Sequence, residues 1–319
     1  MNPSRLQVPG DLAGDRLDQA LVRLLPQHSR SRLQGWVRSG FITVNDSVVR
    51  RCNHRLSGGE KLEVTAAARQ AIDESTQANS ALAEDIPLSI IYADESIMVI
   101  NKPAGLITHQ GAGNWCGTLQ NALLHHAPEL SAVPRAGIVH RLDKDTSGLL
   151  VIARTPEAQT NLVRQLQART VSRKYLAVAC GSVRLDGKVE APIARHPRQR
   201  TRMALRLGGK PALTHYRVVQ RFANATLLEC TLDTGRTHQI RVHLASIGHP
   251  LLGDRLYGGR LKLSTVSFNR QALHAWRLAL AHPQSGESMC WQAAPPEDFA
   301  SLLAKLGATA TPAEAANLT

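Results

Sequence analysis

The chain has 319 residues, 43% hydrophobic but only 4% aromatic, so it can bury a sizeable core built mainly from Leu, Val, Ile and Ala. Its formal charge of +13 is carried by 30 Arg and eight Lys against 25 acidic residues, which points to a nucleic-acid partner, since Arg binds phosphates through a planar, bidentate fork. Five scattered cysteines with no C-x-x-C pair argue against a disulfide framework or a zinc finger, and nowhere do about eighteen apolar residues run together as a membrane span requires.

In chain order, "DRLDQALVRLL" repeats Leu17, Leu21, Leu24 and Leu25 at helical spacing, and "SRSRLQGWVRSG" predicts a second helix, with Ser29 or Ser31 as cap and Gly40 as stop. "FITVNDSVV" alternates around an Asn-Asp turn and "GGEKLEV" follows, which predicts a small hairpin sheet. Arg30, Arg32, Arg38, Arg50, Arg51 and Arg55 crowd this unit, expected to span 14–65. Residues 66–85 are polar and small, without periodicity, and are expected to form a flexible linker.

From 86 to 305 the pattern is α+β, with long β-branched segments ("SIIYA", "SIMVINKP", "GLLVIAR", "KYLAVACG", "THYRVVQRF", "ATLLECTLDT") and no regular βαβ alternation. A helix is predicted at "PEAQTNLVRQLQAR", with Thr155 as N-cap and Pro156 at its first position. Residues 306–319 read as a disordered tail.

Four places in this span could carry chemistry. "IVHRLDKDTSG" puts Asp143 and Asp145 in a loop feeding an apolar strand; Asp145, Thr146 and Ser147 read as turn formers, Asp143 as the reactive candidate. It is no protein-kinase loop, because Leu142 separates Arg141 from Asp143. In "GAGNWCG", Cys116 stands where a dinucleotide-binding loop needs its third glycine. "TGRTHQIRVHLASIGHP" predicts a helix capped by Thr237, with Ile240, Leu244 and Ile247 on its apolar face and Gly248 at its end. Arg241 lies beside that face and therefore needs a carboxylate partner. His238, His243 and His249 lack metal-ligand spacing, so capping and packing are expected of them. Tyr175, expected at the start of a strand, is by itself a packing residue. Finally, Ala191 to Leu228 contains eight basic residues and no acidic one, including Arg195, Arg198, Arg200 and Arg202, which suggests a groove that tracks phosphates.

The unit at 14–65 resembles the S4 RNA-binding module through "SRSRLQGWVRSGFITVN" and its late Gly-Gly. "INKPAGLITHQGAG", "GIVHRLDKDTSGLLVIAR", "SRKYLAVACG" and "TGRTHQIRVHLASIGHPLLGDRLYGG", in that order, resemble the RluA family of RNA pseudouridine synthases, closest to its RluD type, which acts on large-subunit ribosomal RNA. The resemblance implies a mixed, largely antiparallel catalytic sheet behind a small S4 domain. It also implies a catalytic Asp143, an Arg141 that fills the gap left by a flipped base, a Tyr175 against the uracil and an Arg241 paired with Asp143. His140, Arg195, Arg198, Arg200, Arg202, Arg30 and Arg32 are then expected to contact RNA. No metal or other cofactor is implied; the partner is ribosomal RNA or a pre-ribosomal particle, and a monomeric cytoplasmic protein with no membrane association is expected. Gln110 departs from the subtype, which often has Pro there, and the short tail is not strongly acidic. A non-catalytic S4-containing ribosome assembly factor is the alternative, and a uracil-releasing N-glycosidase a remote third.

Overall fold

The structure, a computed structural model, describes residues 5–26, 30–65, 83–110, 116–199, 201–258 and 266–308. The N-terminal unit holds two helices, α1 (Leu17–Leu24) and α2 (Arg30–Ser39), against strands β1 (Arg5–Gln7), β2 (Ile42–Val44), β3 (Ser47–Val48) and β4 (Lys61–Val64) in the order β1-β4-β2-β3. Asn45 and Asp46 both take positive φ (47° and 60°), the geometry of a two-residue hairpin turn whose twist matches its strands. Residues before 14, outside the unit expected from sequence, belong to it: β1 pairs with β4, and Val8 and Leu12 join its core.

The linker expected at 66–85 falls largely outside the described residues, but its end does not. Glu84 accepts from the Gly117 backbone N–H at 3.0 Å and donates its own N–H to Asn121 O, so 83–85 are anchored to the larger unit. That unit is a nine-stranded sheet: β5 (Ile90–Ala93), β6 (Ile97–Lys102), β7 (Ser147–Ala153), β8 (Ser172–Cys180), β9 (Gly187–Glu190), β12 (Leu213–Arg221), β13 (Ala225–Leu232), β14 (Leu273–Ala281) and β15 (Ser288–Gln292). The order is β5-β6-β7-β14-β8-β13-β12-β9, with β15 on β14; β10 (Ile193–Arg195) and β11 (Met203–Leu205) form a separate hairpin. Every pairing is antiparallel except β7 with β14, so the sheet is mixed and largely antiparallel as expected.

β7 is buried throughout because both its faces are covered, which is why its sequence is a continuous apolar run and not an alternation. Leu150 and Ile152 pack beneath α3 (Leu119–His126); Val151 and Ala153 pack with Ala158 and Leu162 of α4 (Pro156–Ala168). As predicted, Thr155 caps α4, accepting from Ala158 N at 3.1 Å. Gly148, at φ 116°, lets β14 approach: a Cβ there would lie 2.2 Å from Ala275 O. Helix α5 (Gln239–Ser246) follows β13, and α6 (Glu297–Leu306) covers the other face of β8 with Phe299, Leu302 and Leu303. α6 takes in Leu306, the first residue of the expected tail, and stops at Gly307; 309–319 lie outside the described residues. Of the cysteines, Cys180 and Cys230 are buried, but Cys116 and Cys290 are exposed.

His274 is fully buried in β14, with Nδ1 3.0 Å from Ser147 Oγ and Nε2 3.0 Å from Ala293 O. The carbonyl can only accept, so Nε2 carries the proton and Nδ1 accepts from the serine. Burial pushes its pKa down to about 4. The unfolded value of about 6.5 is higher, so unfolding takes up a proton between these limits, and stability falls as pH falls from about 6.5 towards 4. This group is expected to remove about 2 kcal/mol between pH 7 and pH 5, read from urea midpoints. His274→Gln should flatten that part of the pH dependence; an unchanged slope would contradict the assignment.

Candidate active site

The loop from Ile138 to Thr146 delivers Asp143 to the end of β7, and three neighbours pin its backbone. Leu142 points inward, and its carbonyl accepts from Thr108 Oγ1 at 2.7 Å. Lys144 O accepts from Gly105 N at 2.9 Å and from Lys102 Nζ at 3.0 Å, and Asp143 O accepts from Thr146 N at 3.1 Å to close the turn. Lys102 is buried, its ammonium also donating to Pro103 O and Leu106 O. Burial pushes Lys102 down to about 7, although Asp145 and Asp143 act in the opposite sense. Asp145 does not line the cavity that Asp143 shares with Tyr175; its backbone carbonyl accepts from Arg270 Nη1 at 3.0 Å.

Asp143 is then met by α5. Arg241 donates Nη1–H to Asp143 Oδ2 at 2.9 Å, the pairing expected from sequence, and grips Asp254 through Nε (2.7 Å) and Nη2 (3.0 Å). Asp254, whose side chain is fully buried, also accepts from Leu256 N and Tyr257 N. Burial works against the Arg241 charge, but the hydrogen bonds to Asp254 and the charge of Asp143 raise its pKa above the ordinary arginine value. One guanidinium thus ties the Asp143 carboxylate to a second carboxylate that is fully buried.

The start of α5 differs from the sequence reading. His238, not Thr237, occupies the N-cap, in a left-handed conformation (φ 57°) with no side-chain cap; Ile247 is 39% exposed. The left-handed turn aims the His238 ring at the site, with Nε2 3.9 Å from Asp143 Oδ1 and Nδ1 2.8 Å from Tyr257 Oη. Tyr257 Oη also accepts from Met203 N at 2.8 Å, so its proton is free to go to Nδ1 and leave an N–H on Nε2 facing Asp143. Burial lowers the His238 pKa, with Asp143 opposing and Arg241 assisting. His243 is held by Thr214 Oγ1 and Ala191 O, and His249 by Cys180 O.

Asp143, His238 and Arg241 border a cavity of about 540 Å³, which Arg141 and Tyr175 also line, a volume suited to a small planar ligand. Arg141 is exposed at its edge. Tyr175 sits inside β8, not at its start, 5% exposed, and burial raises the pKa of its hydroxyl. His140 also lines the cavity but is turned inward: Nε2 accepts from Val151 N at 3.1 Å, and burial pushes its pKa down to about 3.

Of the basic residues, Arg195 and Arg198 are exposed on and beside the β10–β11 hairpin. Arg202 stacks over Tyr257 at 5.2 Å, so the hairpin reaches Asp143 through Tyr257 and His238. In the N-terminal unit Arg30 is exposed but donates to the buried Asp18 at 3.1 Å, alongside Arg16 and Gln34. The Arg32 side chain and Arg200 lie outside what is described. Sequence reasoning missed Asp254, Tyr257 and the inward commitment of His140. The demand that Arg241 find a carboxylate was the available signal for Asp254.

Comparison with known proteins gives a consistent result. Residues 96–246 match the model of the family described as RNA pseudouridylate synthase, and residues 15–62 match that of the S4 domain. The chain is 56% identical to ribosomal large subunit pseudouridine synthase D of Nitrosomonas europaea, over 95% of this chain and 87% of that one. It is 50% identical to the protein of the same name from Pseudomonas aeruginosa, over 94% of each. Among solved structures it resembles human RNA Pseudouridylate Synthase Domain Containing 1, with a TM-score of 0.52 and 25% identity over 72% of this chain and 98% of that one. It shares the fold of Domain Containing 4 from the same source, with a TM-score of 0.54 and 24% identity over 73% of this chain and 97% of that one. Among the described residues no helix is long and apolar enough to cross a membrane.

Proposed function

Because the chain belongs to the RNA pseudouridylate synthase family, we propose that it converts selected uridines of large-subunit ribosomal RNA to pseudouridine, with Asp143 as the reacting carboxylate. The observation that carries this reading is the Asp143–Arg241–Asp254 chain at the edge of a cavity that also contains Tyr175. The names of the 50–56% identical relatives support the ribosomal substrate.

The target base is stacked in folded RNA and must first be extruded; Arg141, exposed at the cavity edge, takes the vacated space while the uracil lies against Tyr175. The C1′–N1 bond then breaks, with its electron pair going to the base. Asp143 serves the sugar in one of two ways, by attack at C1′ or by removing the C2′ proton, and either role needs the ionised form that Arg241 favours. The uracil turns and C5 returns an electron pair to C1′, with the Asp143 carboxylate leaving C1′ on the first route or C2′ regaining its proton from Asp143 on the second; the C5 proton then leaves and N1 gains one. The outcome is an isomer, so no oxidant, reductant or added group is required. Oδ2 is occupied by Arg241 Nη1, which leaves Oδ1 as the oxygen facing the sugar. The exposed Arg195 and Arg198 track phosphates outside the cavity, and Arg30 belongs to a second RNA contact in the S4 domain. In this reading the protein works as a cytoplasmic monomer.

Mapping pseudouridines in ribosomal RNA from cells lacking the protein, and again after its gene is restored, tests the proposal. Specific large-subunit positions should revert to uridine and then regain the modification. An unchanged map would overturn the substrate assignment and favour an assembly factor, and free uracil among the products would indicate an N-glycosidase.

A further inference from the structure

We infer that Arg173 is a substrate-contacting residue: its guanidinium takes a carbonyl oxygen of the uracil in the Asp143 cavity and receives the negative charge the base acquires when C1′–N1 breaks. This rests on the reading of the cavity as the uridine site. Arg173 lies on β8 two residues before Tyr175, so both side chains leave the same face of the sheet, and both line the cavity.

Its bonding is what sets it apart. Arg173 is 6% exposed and makes no ion pair with any carboxylate among the described residues. Among the described residues its one hydrogen bond is a long contact from Nη2 to Leu232 O at 3.4 Å, and its buried Nε–H meets no acceptor there. Arg241, just as buried and lining the same cavity, has three short bonds to two carboxylates. One arginine is committed to two carboxylates through three of its five donors and holds Asp143; the other, among the described residues, commits only one. A buried cation without a partner is unfavourable, and strain of this kind persists at sites where a ligand relieves it.

The surroundings are shaped for it. A Cβ on Gly235 would lie 2.7 Å from Arg173 Nη1, so the bare glycine leaves the space in which the guanidinium rests. Gly235 has no positive φ, so packing and not backbone geometry accounts for this residue.

The partner that fits is the base and not the backbone. Phosphates stay with the RNA chain at the mouth, where Arg141 is exposed, whereas Arg173 lies within, on the strand that carries Tyr175. After heterolysis the base holds the former C1′–N1 pair, delocalised over N1, O2 and O4. A guanidinium fixed on one of those oxygens gains strength as the charge develops, which is the condition for accelerating the step and not merely binding. The charge is discharged when C5 bonds to C1′ and the proton balance is restored.

Arg173→Met and Arg173→Lys, assayed on an RNA that the wild type converts, test the assignment. The expected kcat loss for Arg173→Met is on the order of 100-fold, with RNA affinity within about twofold of wild type and its salt dependence unchanged. The melting temperature should hold or rise, because an unpaired buried charge has been removed, and Arg173→Lys should recover part of the rate. Sulfur in place of O2 or O4 of the target uridine should slow the wild type more than Arg173→Met. An unaltered kcat would overturn the inference, as would a lowered melting temperature with activity retained, which marks a structural strut. Weakened RNA binding with a shallower salt slope would overturn it in favour of a phosphate contact. Failure of the wild type itself to convert the RNA counts against the substrate reading and not against Arg173.

Discussion

Asp143→Asn is expected to abolish pseudouridine formation and to leave RNA binding in place. The substitution is isosteric, and the amide oxygen can still accept from Arg241 Nη1, so the loop keeps its shape. Arg241 also keeps its two bonds to Asp254, so no buried cation is stranded and the melting temperature should move little. What disappears is the charge and basicity of the oxygen facing the sugar. Removal of a reacting group of this kind costs on the order of 10⁴- to 10⁶-fold in kcat. Release of tritium from RNA labelled at uridine C5 measures the loss directly, since that hydrogen must leave in the reaction. RNA affinity should stay within about twofold, because phosphate contacts from arginines dominate it. Activity retained in this variant would refute the assignment of Asp143.

Asp254→Ala has the second large effect, although no reacting atom is expected to touch it. Asp254 supplies two of the three bonds that hold Arg241, and both residues are buried. Removing it strands part of a buried guanidinium, which costs about 3 to 5 kcal/mol of stability, read by urea denaturation. Freed from Asp254, Arg241 collapses onto Asp143 and no longer holds it in one orientation, so kcat falls as well, by about 100-fold for a misplacement of the order of an ångström. The double variant Asp254→Leu/Arg241→Met removes the stranded cation and should recover part of the stability but none of the activity, the Leu256 and Tyr257 N–H groups that Asp254 served remaining unpaired. Stability and catalysis would then have been separated at one pair. Full activity in Asp254→Ala would show that Asp143 needs no such support.

Much of this was legible where the physics is local. The helices α1, α2 and α4, the Asn-Asp hairpin turn and the Thr155 cap follow from spacing and capping chemistry within a few residues. Arg241 could be assigned a carboxylate partner from its half-buried position alone, because an unpaired charge there is costly. What escaped depends on contacts distant in sequence or on unusual backbone. β1 is three residues long and is defined only by pairing with β4. The left-handed His238 displaced the expected Thr237 cap, and nothing in the local spacing announces a non-glycine residue at positive φ. Asp254 lies in a loop thirteen positions from Arg241, and only the tertiary fold joins them. The bond from Val151 N to His140 Nε2 likewise joins residues eleven positions apart through the tertiary fold.

The position of the target nucleotide decides most directly whether Asp143 is the reacting carboxylate. A crystal structure of the protein bound to an RNA carrying 5-fluorouridine at the modified position would show it. This nucleotide should be extruded, with its base against Tyr175, the Arg141 side chain in the vacated stack and its C1′ or C2′ within about 3 to 3.5 Å of Asp143 Oδ1. A target base still stacked in the RNA, or a sugar facing a carboxylate other than Asp143, would contradict it.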